Sequence, residues 1–147
     1  MLGWLLWLAF ASGAAALVYE SIWLRWFHVL FGNTAYAASA TLAAFFAGIA
    51  LGAALGGRWS ERTRHPLRAY AVVEAGTAGT ALVVPAVVAL YEPIYAGLYE
   101  RLADERALFT AIKFALAFAA VLPTSTLLGA TLPLLARTVV ARRGELA

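Results

Sequence analysis

Long apolar runs alternate with short polar breaks along this chain, and the spacing of the breaks defines its elements. The first run extends from Trp4 to about Leu30 and closes at the turn signal Phe31-Gly32-Asn33-Thr34. The second covers about Ala35 to Gly57 and is followed by the charged segment from Arg58 to Arg68, in which Pro66 breaks any helix. A third covers about Ala69 to Tyr91 and includes Pro85, which a buried membrane helix tolerates. From Glu92 to Arg106 the chain is polar. There Tyr95, Leu98, Tyr99 and Leu102 recur at helical spacing, while Glu100, Arg101, Asp104 and Glu105 fall off that stripe. This pattern predicts a short amphipathic helix over residues 93–106, lying at a membrane interface. The last run starts near Ala107 and continues to about Val140. That is longer than a bilayer core requires, so a kink at Pro123 is expected, with a re-entrant pair of short segments as the less favoured alternative.

A bilayer core about 30 Å thick takes roughly 20 apolar residues of helix, and each run exceeds that. The expected fold is therefore all-α, one polytopic membrane bundle of about four transmembrane helices over residues 4–30, 35–57, 69–91 and 107–140. A cleaved leader is the rival reading of the first run, with Ala9-Phe10-Ala11 or Ala14-Ala15-Ala16 as the cleavage site. No Lys or Arg precedes the run, and apolar sequence continues well beyond those alanines, so a retained span is expected.

Composition agrees: 63% of the 147 residues are hydrophobic and 13% charged, against about a quarter charged in soluble domains. The net charge of +3 does not point to nucleic acid, because the basic residues flank the apolar runs, where they report orientation. Arg58, Arg62, Arg64 and Arg68 share a side with Arg137, Arg142 and Arg143 if there are four crossings. Both termini are therefore expected in the cytoplasm. Lys113 is the only lysine and Ala is abundant, the composition of a GC-rich bacterial gene and hence of a bacterial cytoplasmic membrane. The chain has no cysteine, which excludes disulfides and thiolate-held metals. His28 and His65 are too few and too far apart for a metal site, and no cofactor is expected.

Gly48, Gly52 and Gly56 recur every fourth residue in the second run, with Ala44 extending the row. Small residues at that spacing let a second helix approach closely, either within the chain or from another copy. Four charges lie inside the runs: Glu20, Arg25, Glu74 and Lys113. Intramembrane charges face a protein interior or a wet cavity, serving as polar glue or as part of a cation or proton pathway. At about 1.5 Å per residue, Glu20 and Lys113 fall about 5 and 7 Å to the outer side of the midplane, which predicts a contact between them, direct or through water. Glu74 lies in the inner half, near the depth of Thr124, Ser125 and Thr126, whose hydroxyls are candidate partners, as are Arg58 and Arg62. Arg25 is close enough to the outer surface to snorkel.

Phe10-Ala11-Ser12-Gly13-Ala14-Ala15-Ala16-Leu17-Val18-Tyr19-Glu20, then Trp23-Leu24-Arg25, resembles the opening of the membrane region of fused major-facilitator-like/spermidine synthase-like bacterial proteins. Phe31-Gly32-Asn33-Thr34, Gly48-Ile49-Ala50-Leu51-Gly52, Gly56-Gly57-Arg58 and Leu128-Gly129-Ala130-Thr131-Leu132-Pro133-Leu134-Leu135-Ala136-Arg137 continue the resemblance over nearly the whole chain. Gly57, Glu61, Arg62 and Arg64 are also similar to the cytoplasmic hinge motif between the second and third helices of the major facilitator superfamily, with Glu in place of the usual Asp. The resemblance implies a transporter-like membrane fold. Family members carry an aminopropyltransferase-like domain that these residues do not include, so synthase activity is not expected of them.

Catalytic machinery is not visible: there is no nucleophile elbow, P-loop or dinucleotide fingerprint. The leading expectation is a non-catalytic membrane module that packs in the lipid bilayer with copies of itself or with other membrane subunits. That reading requires an interface at Gly48, Gly52 and Gly56, or at aromatics such as Trp4, Trp7, Trp23, Trp26 and Phe27. The alternative is a transporter-like unit that moves a small, cationic, polyamine-like solute as an oligomer, drawing it to Glu20 and Glu74.

Overall fold

A computed structural model describes residues 2–31, 35–102 and 105–144. They form five helices: α1 (Leu2–Phe31), α2 (Ala35–Arg62), α3 (Pro66–Ala81), α4 (Val83–Leu102) and α5 (Arg106–Gly144). Among the described residues there is no strand. Four segments, Gly3–His28, Ala38–Arg62, Pro66–Tyr91 and Ala107–Ala141, are long and apolar enough to cross a membrane. The chain is thus an all-helical membrane bundle. Of the turn expected at residues 31–34, Gly32, Asn33 and Thr34 lie outside the described residues.

Several boundaries differ from those predicted. α2 runs on past Gly57 to Arg62, so the expected loop shrinks to Thr63, Arg64 and His65. Polar residues do not end a helix once it leaves the apolar core, and the Ser60 hydroxyl donates to the Gly57 carbonyl at 2.7 Å within this extension. What ends the turn is Pro66, which biases His65 away from helical angles and then serves as the first residue of α3.

The third span is interrupted at Leu82. Pro85 has no amide hydrogen and its ring crowds the carbonyl four residues earlier, that of Ala81, where α3 ends. Leu82 keeps φ −73° and ψ −15°, so the break is a kink within one crossing and not a reversal. Pro93, by contrast, sits inside α4 without ending it. The separate interfacial helix expected over 93–106 is therefore a continuation of the third span to Leu102. Of its proposed stripe, the side chains of Leu98, Tyr99 and Leu102 lie outside the described residues.

α5 is one helix of 39 residues that carries both Pro123 and Pro133. At about 1.5 Å per residue it reaches about 58 Å, and its continuity excludes the re-entrant alternative. Hydroxyls shore up the backbone beside Pro123. Ser125 Oγ donates to the Val121 carbonyl at 3.0 Å, and Thr126 Oγ1 to that of Leu122 at 2.7 Å.

The bundle is organised on α2 and α5. A methyl group added at Gly48 would collide with Ser125, at Gly52 with the Thr126 carbonyl, and at Gly56 with the Ala130 backbone. Successive glycines meet successive positions of α5, so the two helices run parallel. Gly129 answers from the other side, where the Ile49 carbonyl occupies the space of a Cβ. Such backbone contact yields dispersion energy that lipid cannot match. α3 runs the opposite way along α5, with Tyr70 and Val73 beside Leu134 and Leu135, Gly76 against Leu127, and Ala81 near Ala120 and Val121. α1 also runs antiparallel, placing Leu5 near Leu134 and burying Trp23 and Phe27 against Ala44, Phe45 and Ala117.

This arrangement makes a clear test. Gly52→Ala is expected to destabilise the protein by about 1–3 kcal/mol through overpacking. Gly57→Ala, where nothing lies within 4 Å, is expected to be neutral or stabilising by up to about 1 kcal/mol. Thermal unfolding in mild detergent measures both, and equal effects would contradict the seam.

Candidate functional site

The candidate site comprises the polar groups that this packing holds inside the membrane. Ser12, Tyr70 and Glu74 converge from α1 and α3. Tyr70 is buried, its phenol lies beside the Glu74 carboxylate one turn away, and it faces the Ser12 hydroxyl. Glu74 is half-buried, and its Oε1 is buried with no hydrogen-bond partner. A buried polar atom left in this way costs about 1–3 kcal/mol, so its retention invites a functional reading.

The partners expected for Glu74 do not serve it. Ser125 and Thr126 spend their hydroxyls on carbonyls of their own helix, the nearest acceptors in an apolar setting. Thr124 is fully buried, and its Oγ1 has no hydrogen-bond partner. Arg58 and Arg62 are exposed at the end of α2, where water solvates them, and among the described residues no salt bridge forms.

Glu20 and Lys113 form no direct ion pair among the described residues. The Lys113 ammonium lies 4.3 Å from the Phe109 ring centre and 5.0 Å from that of Tyr95. Those rings stand 5.6 Å apart, and Tyr95 is a further 5.6 Å from Tyr91. Aromatic faces hold a partly desolvated cation with about 1–2 kcal/mol, without the cost of bringing a second charge out of water. Glu20 is half-buried and Arg25 exposed, both on α1. Arg25 and Lys113 thus belong to one end of the bundle, and the Tyr70–Glu74 pair lies towards the other.

Parallel packing of α2 and α5 gathers the basic residues. Arg58, Arg62, Arg64, Arg68 and Arg137 are all exposed at the end where α2 stops, α3 starts and α5 emerges, together with Glu61. Near this end an apolar groove of about 480 Å³ opens between α1, α2, α3 and α5, with Ser12 and Tyr70 in its wall. His65 is exposed at this end, whereas His28 Nε2 is buried without a hydrogen-bond partner near the end of α1. Among the described residues no cluster of three metal-capable side chains forms.

Sequence reasoning missed Gly129, Tyr70 and the aromatic seat of Lys113. Two of these carry a signal. Ser125 and Gly129 are small residues four apart, the same signature as the α2 row, and Phe109 and Lys113 are four apart on one helical face. No family model, curated protein or solved structure matches the chain.

Glu74→Gln is expected to leave thermal stability unchanged or raise it, because the substitution removes a carboxylate oxygen that has no partner. A fall of several degrees in the unfolding midpoint would show that the carboxylate is compensated after all.

Proposed function

We propose that this chain is a non-catalytic, multi-pass membrane module that packs with copies of itself or with other membrane subunits in a larger assembly. Its home is a bacterial cytoplasmic membrane, with the arginine-rich end in the cytoplasm. The observation that carries this reading is the poor cover of α1. Only 6% of its apolar stretch is buried by the chain, against 28% for α2 and for α5. The glycine row is already occupied by α5 inside the chain, so it offers no face to a partner. Trp23 and Phe27 are consumed in the core, whereas Trp4 and Trp7 are 77% and 67% exposed. The free face therefore lies along the first half of α1. Kinship with the membrane region of fused major-facilitator-like/spermidine synthase-like proteins rests on the sequence motifs alone.

One observation favours a second reading, a transporter-like unit that handles a small cationic, polyamine-like solute as an oligomer. It is the unpartnered Oε1 of Glu74, a carboxylate oxygen available to a cation or a proton. Under that reading Glu74→Gln abolishes uptake while the protein still folds.

Native mass spectrometry of the particle extracted gently from membranes decides between assembly and isolation. More than one membrane chain per particle is the expected result. Because the chain has no cysteine, Trp4→Cys and Trp7→Cys provide single-site crosslinking reporters. A lone monomer under the mildest extraction, with no crosslink in intact membranes, overturns the module.

A further inference from the structure

The apolar groove and the arginine end, taken together, have the shape and charge of a lipid seat. The groove runs beside α1 from Ala16 to Ala9, about 10 Å along the helix axis, with Ile49, Leu128 and Leu132 on the facing walls. Its lining is almost entirely apolar, and Thr131, one of its hydroxyl residues, donates back to the Leu128 carbonyl at 2.7 Å.

Its two ends differ. Ala16, Ile49 and Leu128 line it at the level nearer the middle of the bundle, whereas Ala9, Tyr70 and Ala136 line it at the level nearer the basic end. Arg137 follows Ala136 directly, Arg68 lies two residues before Tyr70, and both are exposed. Arg58, Arg62 and Arg64 stand at the same end. Among the described residues the carboxyl groups nearby are those of Glu61, exposed among these arginines, and Glu74, one helical turn deeper than Tyr70. Five arginines outnumber them, and no salt bridge among the described residues neutralises the patch.

We infer that this groove binds an anionic phospholipid, with one acyl chain along Ala9, Gly13 and Ala16 and the phosphate held by Arg68 and Arg137. A guanidinium presents a planar fork that matches phosphate oxygens, and its long stem lets the charge reach the headgroup layer while its carbons stay on apolar surface. Basic pockets at helix ends select anionic headgroups by this chemistry. A partner helix is the competing occupant. An apolar helix laid there gives the arginines nothing to neutralise, whereas a phosphate does.

The test uses the full chain in detergent, stripped of lipid, with dioleoyl phosphatidylglycerol or dioleoyl phosphatidylcholine added and retention read by native mass spectrometry. The parent is expected to retain the anionic lipid about tenfold more strongly. Arg68→Gln with Arg137→Gln removes that preference while retention of phosphatidylcholine is unchanged. Gly13→Leu, at a position with nothing within 4 Å of an added Cβ, fills the groove and weakens retention of both lipids. Equal retention of the two lipids by the parent, or a preference that survives loss of both arginines, overturns the inference. So does a co-purifying protein chain that Gly13→Leu releases while lipid retention stays as in the parent. Should Gly13→Leu fail to fold, the arginine pair alone decides.

Discussion

The close approach of α2 and α5 is the contact on which the rest of this bundle depends. Apolar side chains gain little by leaving lipid for one another, so two helices stay together in a membrane only where their backbones come near enough for dense dispersion contact. Gly48, Gly52 and Gly56 on one side and Gly129 on the other provide that, with backbone atoms standing where side chains would be. Because the contact is parallel, the chain must cross back between the two helices. The segment from Pro66 to Tyr91 makes that return, with α3 laid antiparallel on α5. The same geometry brings the ends of α2 and α5 together and so concentrates the arginines at one pole.

Around this seam the described polar groups are accommodated without ion pairs among them. Ser125, Thr126, Thr131 and Thr138 return their hydroxyls to carbonyls of α5, the cheapest partners available where water is absent. Lys113 rests on Phe109 and Tyr95, so its charge is met by ring faces that cost nothing to desolvate as ions. Glu74 stands apart from these solutions. Its phenol neighbour and the Ser12 hydroxyl give it a polar setting, yet Oε1 is left over, a buried carboxylate oxygen with capacity for something else.

The periphery is where the molecule meets other things. α1 is held at Leu5, Trp23 and Phe27 and otherwise faces outward, with Trp4, Trp7, Phe10 and Leu17 exposed. Between those anchors its small residues line the groove near the arginine pole. A helix fixed at intervals and uncovered between them offers both a protein-facing surface and a lipid seat, and the two need not overlap. The exposed tryptophans belong to one side of α1, while Ala9, Gly13 and Ala16 line the other.

The sequence by itself determined the number of crossings and the all-helical class. Apolar length alone decides whether a segment can span lipid, and lipid forces such a segment into a helix. It also marked the glycine row as a contact face, since missing side chains are visible in the residue letters. Helix ends were less legible: the charge at Arg58 ends the apolar run but not the helix, which continues to Arg62, and Pro85 breaks α3 from α4 while Pro93 is absorbed. Only the tertiary structure decided which partner each face meets. The depths of Glu20 and Lys113 follow from counting residues, but depth fixes a level in the membrane and leaves rotation about the helix axis open. Rotation is set by how α5 seats against the α2 glycines, and that seating turns Lys113 and its helix neighbour Phe109 together towards Tyr95 of α4. Tyr70, Ser12 and the groove were hidden for the same reason, because they come together across helices far apart in the chain. No local spacing encodes that meeting; the depth of one glycine seam does.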